Sequence, residues 1–217
     1  MSAFHPECLI IANGSPLPLA LLKRLAPSKF IVALDGAVNA LNTVYHREIA
    51  PDVVLGDFDS TTEETRRVFS ESKVFHTPSQ DFTDLEKGIQ FCDQKKAPAI
   101  WIVNALGLNR MDHTLANLNF LKKYSAKGRP LKLVSLNDVV EFVKDRELKF
   151  PARLKEPVGV FGFPSARVTS TGLEYPMERY LVSVGESLSS SNYVSASEVT
   201  LVIAGDALVS YPHPFSL

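Results

Sequence analysis

Residues 30–60 read FIVALDGAVNALNTVYHREIAPDVVLGDFDS, and this stretch decides the fold. Phe30-Ile31-Val32-Ala33-Leu34 is an unbroken apolar run of strand length that stops at Asp35-Gly36. Ala37 to Tyr45 has helical character, and Val53-Val54-Leu55 is a second apolar run that stops at Gly56-Asp57. Strands without polar alternation are buried on both faces. Two of them joined through a helix predict a parallel sheet covered by helices.

The same alternation extends outward. Upstream, Cys8 to Ala12 reads as a strand and Pro18 to Leu25 as a helix. Downstream, a helix after Thr62 carries Glu63 and Glu64 in its first turn, where carboxylates suit the helix dipole. Val74-Phe75 is a short strand. Thr83-Asp84-Leu85-Glu86 fits a capping box, and Leu85, Ile89 and Cys92 then repeat at helical spacing. Ala99 to Val103 is a strand, and Asp112 to Lys122 a helix with Leu115, Leu118 and Leu121 on a shared side. Beyond residue 138 helical periodicity fades. Short strand-like runs follow at Val139–Val143, Val158–Phe161, Arg167–Thr169, Leu181–Val184, Tyr193–Ser195 and Val199–Ile203. Turn signals stand between them, including Pro157, Pro164, Thr171-Gly172, Pro176, Gly185 and Gly205-Asp206. The expected architecture is an α/β domain over 1–138, a parallel sheet with helices on both faces, followed by a small all-β sandwich over 139–217.

Composition narrows the function classes. The 217 residues carry 23 Lys plus Arg against 24 Asp plus Glu, a formal net charge of -1. That balance argues against non-specific nucleic-acid binding, which needs a basic excess. No apolar run approaches the length of a membrane span, and no leader pattern opens the chain, so no membrane role and a cytoplasmic location are expected. Cys8 and Cys92 read as buried thiols, without a disulfide framework or a cysteine zinc site.

In a parallel sheet, ligands bind beyond the carboxyl ends of the strands. Asn13, Asp35, Asp57 and Asn104 all fall at such ends. Asp57 and Asp59 stand two apart just past a strand, and carboxylates that close repel unless a cation or protons intervene. Asp81 and Asp84, at the start of a helix, add a second acidic pair at the same edge. Mg2+ takes one or two carboxylates plus substrate phosphates, so four convergent aspartates suggest a magnesium site that binds nucleotide phosphates. Solvated loop acids and helix caps are the plainer reading of each pair taken alone.

Arg110, Asp112 and His113 lie where a strand gives way to a helix. Backbone N–H groups there bind anions, and Arg110 offers a bidentate fork for phosphate. Asp112 could cap the helix, orient Arg110, or both; His113 reads as a ligand contact or as a structural residue. Lys87 reads as a phosphate contact or as a solvated lysine. Asp35-Gly36 allows close backbone approach, with Asp35 as a ribose or metal-shell group. No nucleophile elbow, zincin helix or Walker loop is present, and Trp101 reads as core.

These motifs together resemble the thiamine pyrophosphokinase family. They are Asp35-Gly36-Ala37, Gly56-Asp57-Phe58-Asp59-Ser60, Asp81-Phe82-Thr83-Asp84-Leu85-Glu86-Lys87, and Gly107 through Arg110-Met111-Asp112-His113 to Asn117, in matching order over residues 10–121. Ser170-Thr171-Gly172-Leu173-Glu174-Tyr175 and Ser191-Asn192 extend the likeness. The resemblance implies a homodimer that transfers diphosphate from ATP to the hydroxyl of thiamine, giving thiamine diphosphate and AMP. It implies Mg2+ on Asp57, Asp59, Asp81 and Asp84, nucleotide contacts near Asp35, Gly36, Arg110 and Asp112, and thiamine contacts near Ser191 and Asn192. Two positions depart from the pattern: Leu108-Asn109 stand where the family usually has two glycines, and Tyr193 follows Asn192 where some members carry tryptophan nearby. The rival readings are a diphosphokinase acting on a pterin alcohol, a phosphatase using Asp57-Phe58-Asp59-Ser60-Thr61 as D-x-D-x-T, and a non-catalytic nucleotide or thiamine binder.

Overall fold

A computed structural model describes residues 6–56, 67, 73–76, 82–106, 110–125 and 129–213. The chain divides into two compact units between Leu136 and Asn137. The first contains β1 (Cys8–Ile11), α1 (Leu19–Leu25), β2 (Phe30–Leu34), α2 (Ala37–Thr43), β3 (Val53–Gly56), β4 (Lys73–His76), α3 (Asp84–Gln94), β5 (Ile100–Val103), α4 (Met111–Ser125) and β6 (Leu131–Val134). Its sheet runs in the order β6-β5-β1-β2-β3-β4, and every pairing is parallel. β1, β3 and β5 are buried at every position, which is why their sequences are apolar without alternation. β4 closes one edge of this order, and its Val74 and Phe75 remain exposed although the ring of Phe75 packs on Phe91.

Strand order carries the functional consequence. From β1 the chain adds β2, β3 and β4 in one direction, then returns to lay β5 on the other side of β1. The β1/β5 boundary is therefore a topological switch point, the place where open α/β sheets leave a crevice between diverging strand-end loops.

α3 begins where the sequence places it, at Thr83, whose hydroxyl accepts the Glu86 N–H at 3.3 Å. Only half of the expected capping box forms. The Glu86 carboxylate turns away from the cap and is buried against α4, accepting from the Tyr124 hydroxyl (2.7 Å) and from Lys123. Burial opposes ionisation of this carboxyl, but the bonds from Lys123 and Tyr124 prevail and hold it below the usual carboxylate range. On the sheet side, Gly88 lets α3 come close: a methyl there would lie 2.9 Å from Leu34 Cδ2. Cys92 of α3 meets Cys8 of β1 thiol to thiol, both buried and reduced. The shared leucine side expected on α4 is only partly inward: Leu121 is fully buried and Leu115 is exposed. The helix expected after Thr62 lies outside the described residues.

The second unit is antiparallel throughout, with β7 (Asp138–Pro151), β8 (Pro157–Thr171), β9 (Tyr180–Ser183), β10 (Leu188–Tyr193) and β11 (Glu198–Pro212) in the order β10-β8-β11-β7 and β9 paired to β8. Three of these strands are 14 or 15 residues long, where the sequence suggests several short ones. Pro164 and Gly205-Asp206, which read as turns, are instead places where long strands shift register without ending. β8 and β11 break their pairing between Gly205 and Ala207, opposite the segment that holds Pro164, and Gly205 takes φ +110. Gly172, with φ +81, does end a strand. Inside this unit the buried Glu141 accepts from the Tyr211 hydroxyl at 2.7 Å and from Arg146 at 3.1 Å.

The Glu86 cluster makes stability depend on pH with a definite sign. Its depressed folded-state value means that its contribution is present above the ordinary carboxylate range, about 4.3, and is lost as pH falls through the folded value. Glu86→Gln is expected to cost about 1–2 kcal/mol near neutral pH. Thermal melts of both proteins across pH check this: their difference should shrink in acid. A difference independent of pH would contradict the charge assignment.

Candidate active site

A cavity of about 550 Å3 opens at the switch point. Its walls come from three strand ends and two helix starts: Ala12–Pro16 after β1, Leu34 and Gly36 around the end of β2, Thr83–Leu85 at the start of α3, Asn104 and Ala105 after β5, and residues of the first turns of α4. That size suits a small-molecule ligand. The amino ends of α3 and α4 both border it, bringing their positive dipole ends toward any anion bound there.

Of the residues singled out in the sequence, Asn13, Gly36, Asp84, Asn104, Arg110 and His113 line this cavity together. Gly36 is bare for a reason of space: a methyl on it would fall 2.2 Å from the side-chain amide of Asn13. Asp84 is 44% exposed and accepts from Lys87 at 3.2 Å. Lys87 itself is only 12% exposed, so the reading of it as a solvated lysine does not hold; its stem is packed and its ammonium sits on Asp84. Arg110 forms a two-pronged pair with Asp112, Nε to Oδ1 at 3.0 Å and Nη2 to Oδ2 at 2.8 Å. The guanidinium thereby holds the Asp112 carboxyl far below its usual range. Asp112 lies in the first turn of α4, where its carboxylate takes both the Arg110 guanidinium and a backbone N–H of His113.

Asp35 is buried, 4% exposed, and its N–H donates to Leu55 O at 2.7 Å. A methyl on Gly56 would meet Asp35 Cβ at 2.5 Å, so β2 and β3 end in close contact here. Asp57, Asp59 and Asp81 lie outside the described residues. Among the described residues no three acidic, histidine or cysteine side chains gather as a metal cage. The donor chemistry nonetheless suits Mg2+, because Asp84 presents hard carboxylate oxygens in the wall of this cavity.

Several lining residues carry weak signals in the sequence or none. Asn117 donates to Ala105 O at 2.7 Å and pins the turn after β5. Asn104, noted only as a polar strand end, is almost fully buried with φ +56. Ser15 and Pro16 join the wall through loop geometry that no local pattern announces.

In the second unit, Ser191 is exposed with φ +52 and Asn192 is 3% exposed. The Asn192 amide is engaged at both ends: Oδ1 accepts Tyr175 N–H at 3.0 Å and Nδ2 donates to Tyr175 O at 2.7 Å. It clamps the turn that carries the exposed ring of Tyr175.

Comparison with known proteins agrees with both units. The family model "Thiamin pyrophosphokinase, catalytic domain" matches residues 21–133, and "Thiamin pyrophosphokinase, vitamin B1 binding domain" matches 146–207. A Caenorhabditis elegans relative, "Thiamin pyrophosphokinase 1", is 31% identical over 193 residues, covering 84% of this chain and 79% of its own length. In fold, the chain is similar to the crystal structure of thiamine pyrophosphokinase from Bacillus subtilis, with TM-score 0.82, 24% identity, and coverage of 95% and 98% of the two chains. The yeast thiamin pyrophosphokinase structure gives TM-score 0.82 at 16% identity, covering 96% of this chain and 86% of that one. By these matches the chain belongs to the thiamin pyrophosphokinase family.

Proposed function

We propose that this protein is a thiamine diphosphokinase that moves the terminal diphosphate of ATP onto the hydroxyl of thiamine, with AMP as the second product. The observation that carries this reading is the cavity at the β1/β5 switch point, bordered by two helix amino ends, Arg110 and Asp84, in a chain matched by the family's catalytic and vitamin-binding models. The catalytic role belongs to the first unit, over about residues 1–138, and the thiamine-binding and dimerisation role to 139–217.

In this reading the triphosphate lies against the amino ends of α3 and α4, with Arg110 held by Asp112 to face it. Gly36 permits close approach of the ligand, Asp35 stiffens the strand end beneath it, and His113 and Lys87 complete the polar surroundings. Asp57, Asp59, Asp81 and Asp84 would hold Mg2+, whose chemistry is to neutralise charge spread over the phosphate oxygens. The thiamine hydroxyl oxygen forms a bond to the β-phosphorus as the bond from that phosphorus to the α,β-bridging oxygen breaks. The hydroxyl proton passes to Asp84 or Asp81, whichever of the two then serves as base instead of as a ligand of the ion, and AMP leaves. Positioning of the two reactants supplies much of the acceleration. Ser191 and Asn192 belong to the thiamine region, where Asn192 acts by shaping the Tyr175 turn. The enzyme works as a homodimer in the cytoplasm. Among the described residues no helix is long and apolar enough to cross a membrane.

Incubation with ATP, Mg2+ and either thiamine or a pterin alcohol, followed for AMP release, checks the reaction and the acceptor together. AMP should appear with thiamine. Release with the pterin alcohol alone would transfer the assignment to a sister activity, and absence of AMP from folded, metal-loaded protein would overturn the reading. Asp57→Asn and Asp84→Asn should each lower kcat by about a hundredfold or more, with melting temperatures close to the parent's. Full activity in either variant would remove that residue from the site.

A further inference from the structure

Asn104 is the unusual residue of the cavity wall. It follows β5 directly, is 2% exposed, and adopts φ +56, a left-handed conformation that only asparagine, aspartate and glycine enter at low cost. Every polar atom given for its side chain points at another chain segment. Oδ1 accepts the backbone N–H of Leu17 at 2.9 Å. Oδ1 also accepts from the Tyr45 hydroxyl at 3.3 Å, and Nδ2 donates to that same hydroxyl oxygen at 3.1 Å. Tyr45 is completely buried just beyond α2, and burial raises its hydroxyl above the usual range, so it stays a neutral donor near neutral pH. The Asn104 backbone takes part as well: a methyl on Gly14 would lie 2.2 Å from Asn104 O, so only glycine lets the loop after β1 rest on it.

The segment so held is Asn13 to Pro16, which is exposed yet forms one side of the cavity. Its ends are fixed by Ala12 N–H on Val103 O at 3.0 Å and by Leu17 N–H on Asn104. We propose that Asn104, itself oriented by Tyr45, is a positioning residue that fixes the Asn13–Pro16 loop as the wall of the nucleotide cavity. This rests on the reading of that cavity as the ATP site. The lock does not touch the reacting atoms. It sets the shape into which ATP binds, so its loss weakens ATP binding in ground and transition states alike, which appears in KM and not in kcat.

Asn104→Gly isolates the lock. Glycine adopts φ +56 freely, so the backbone can stay in place while the side-chain bonds to Leu17 and Tyr45 disappear. Tyr45→Phe removes only the orienting hydroxyl and keeps the ring in the core. The readouts are hydrogen exchange at the Leu17 amide, KM and kcat for ATP, and the melting temperature, all on the full chain. For Asn104→Gly, Leu17 exchange should accelerate about tenfold or more, KM for ATP should rise about tenfold, and kcat should change by less than about threefold. Tyr45→Phe should shift the same quantities in the same direction by less. Unchanged Leu17 exchange overturns the proposal, as does unchanged KM with faster exchange, or a fall in kcat at constant KM. A drop in melting temperature that accounts for lost activity while KM holds reduces Asn104 to a structural residue and also overturns it. Should Asn104→Gly fail to fold, Tyr45→Phe decides alone by the same criteria. A parent protein that releases no AMP would instead defeat the functional reading, and the Leu17 exchange comparison would still judge the lock.

Discussion

The reversal of sheet growth at β1 is the constraint on which the site depends. β1 is buried on every side, pairs in parallel with β2 and β5, and donates its neighbours' strand ends to a single edge. The connections that leave β1 and β5 proceed to strands on opposite sides, so the loops above them cannot fill the space between. The crevice therefore follows from strand order, and individual side chains only furnish it. Asn13, Gly14, Gly36, Asn104 and Arg110 come from segments as far apart as residues 13 and 110, yet all border one cavity.

Close approach recurs around this edge. Gly14 lies on the Asn104 carbonyl, Gly36 under the Asn13 amide, and Gly56 against Asp35. Each is a place where a side chain would separate two strand ends that must stay together. Charge is arranged with equal economy. Arg110 is steadied by Asp112 and Lys87 sits on Asp84, so positive groups are pre-placed near the cavity without being left unpaired. Such preorganisation suits phosphoryl transfer, where little covalent work falls to the protein.

Much of this was legible in the residues. Apolar runs 30–34 and 53–55 gave away a doubly covered parallel sheet because a half-exposed strand would alternate. The polar residues that end those runs marked the right edge. Other features were illegible for identifiable reasons. β6 is four residues with Lys132 inside it, too short and too polar to signal a buried strand. Pro164 and Gly205 punctuate local conformation, and whether they end a strand or bulge it depends on the partner strand. The partners of Glu86, Cys92 and Asn104 lie 38, 84 and 87 or 59 positions away, and no periodicity reaches that far. The i, i+3 repeat suggests one side for Leu115, Leu118 and Leu121, but that spacing drifts around a helix of period 3.6, and the structure leaves Leu115 exposed.

The central claim is that ATP occupies the β1/β5 crevice. A crystal structure of the full chain with a non-transferable ATP analogue and Mg2+ tests it most directly. The account predicts phosphate density between the amino ends of α3 and α4, within contact of Arg110 and beside Gly14 and Gly36. Nucleotide bound elsewhere, with this cavity holding only solvent, would contradict it.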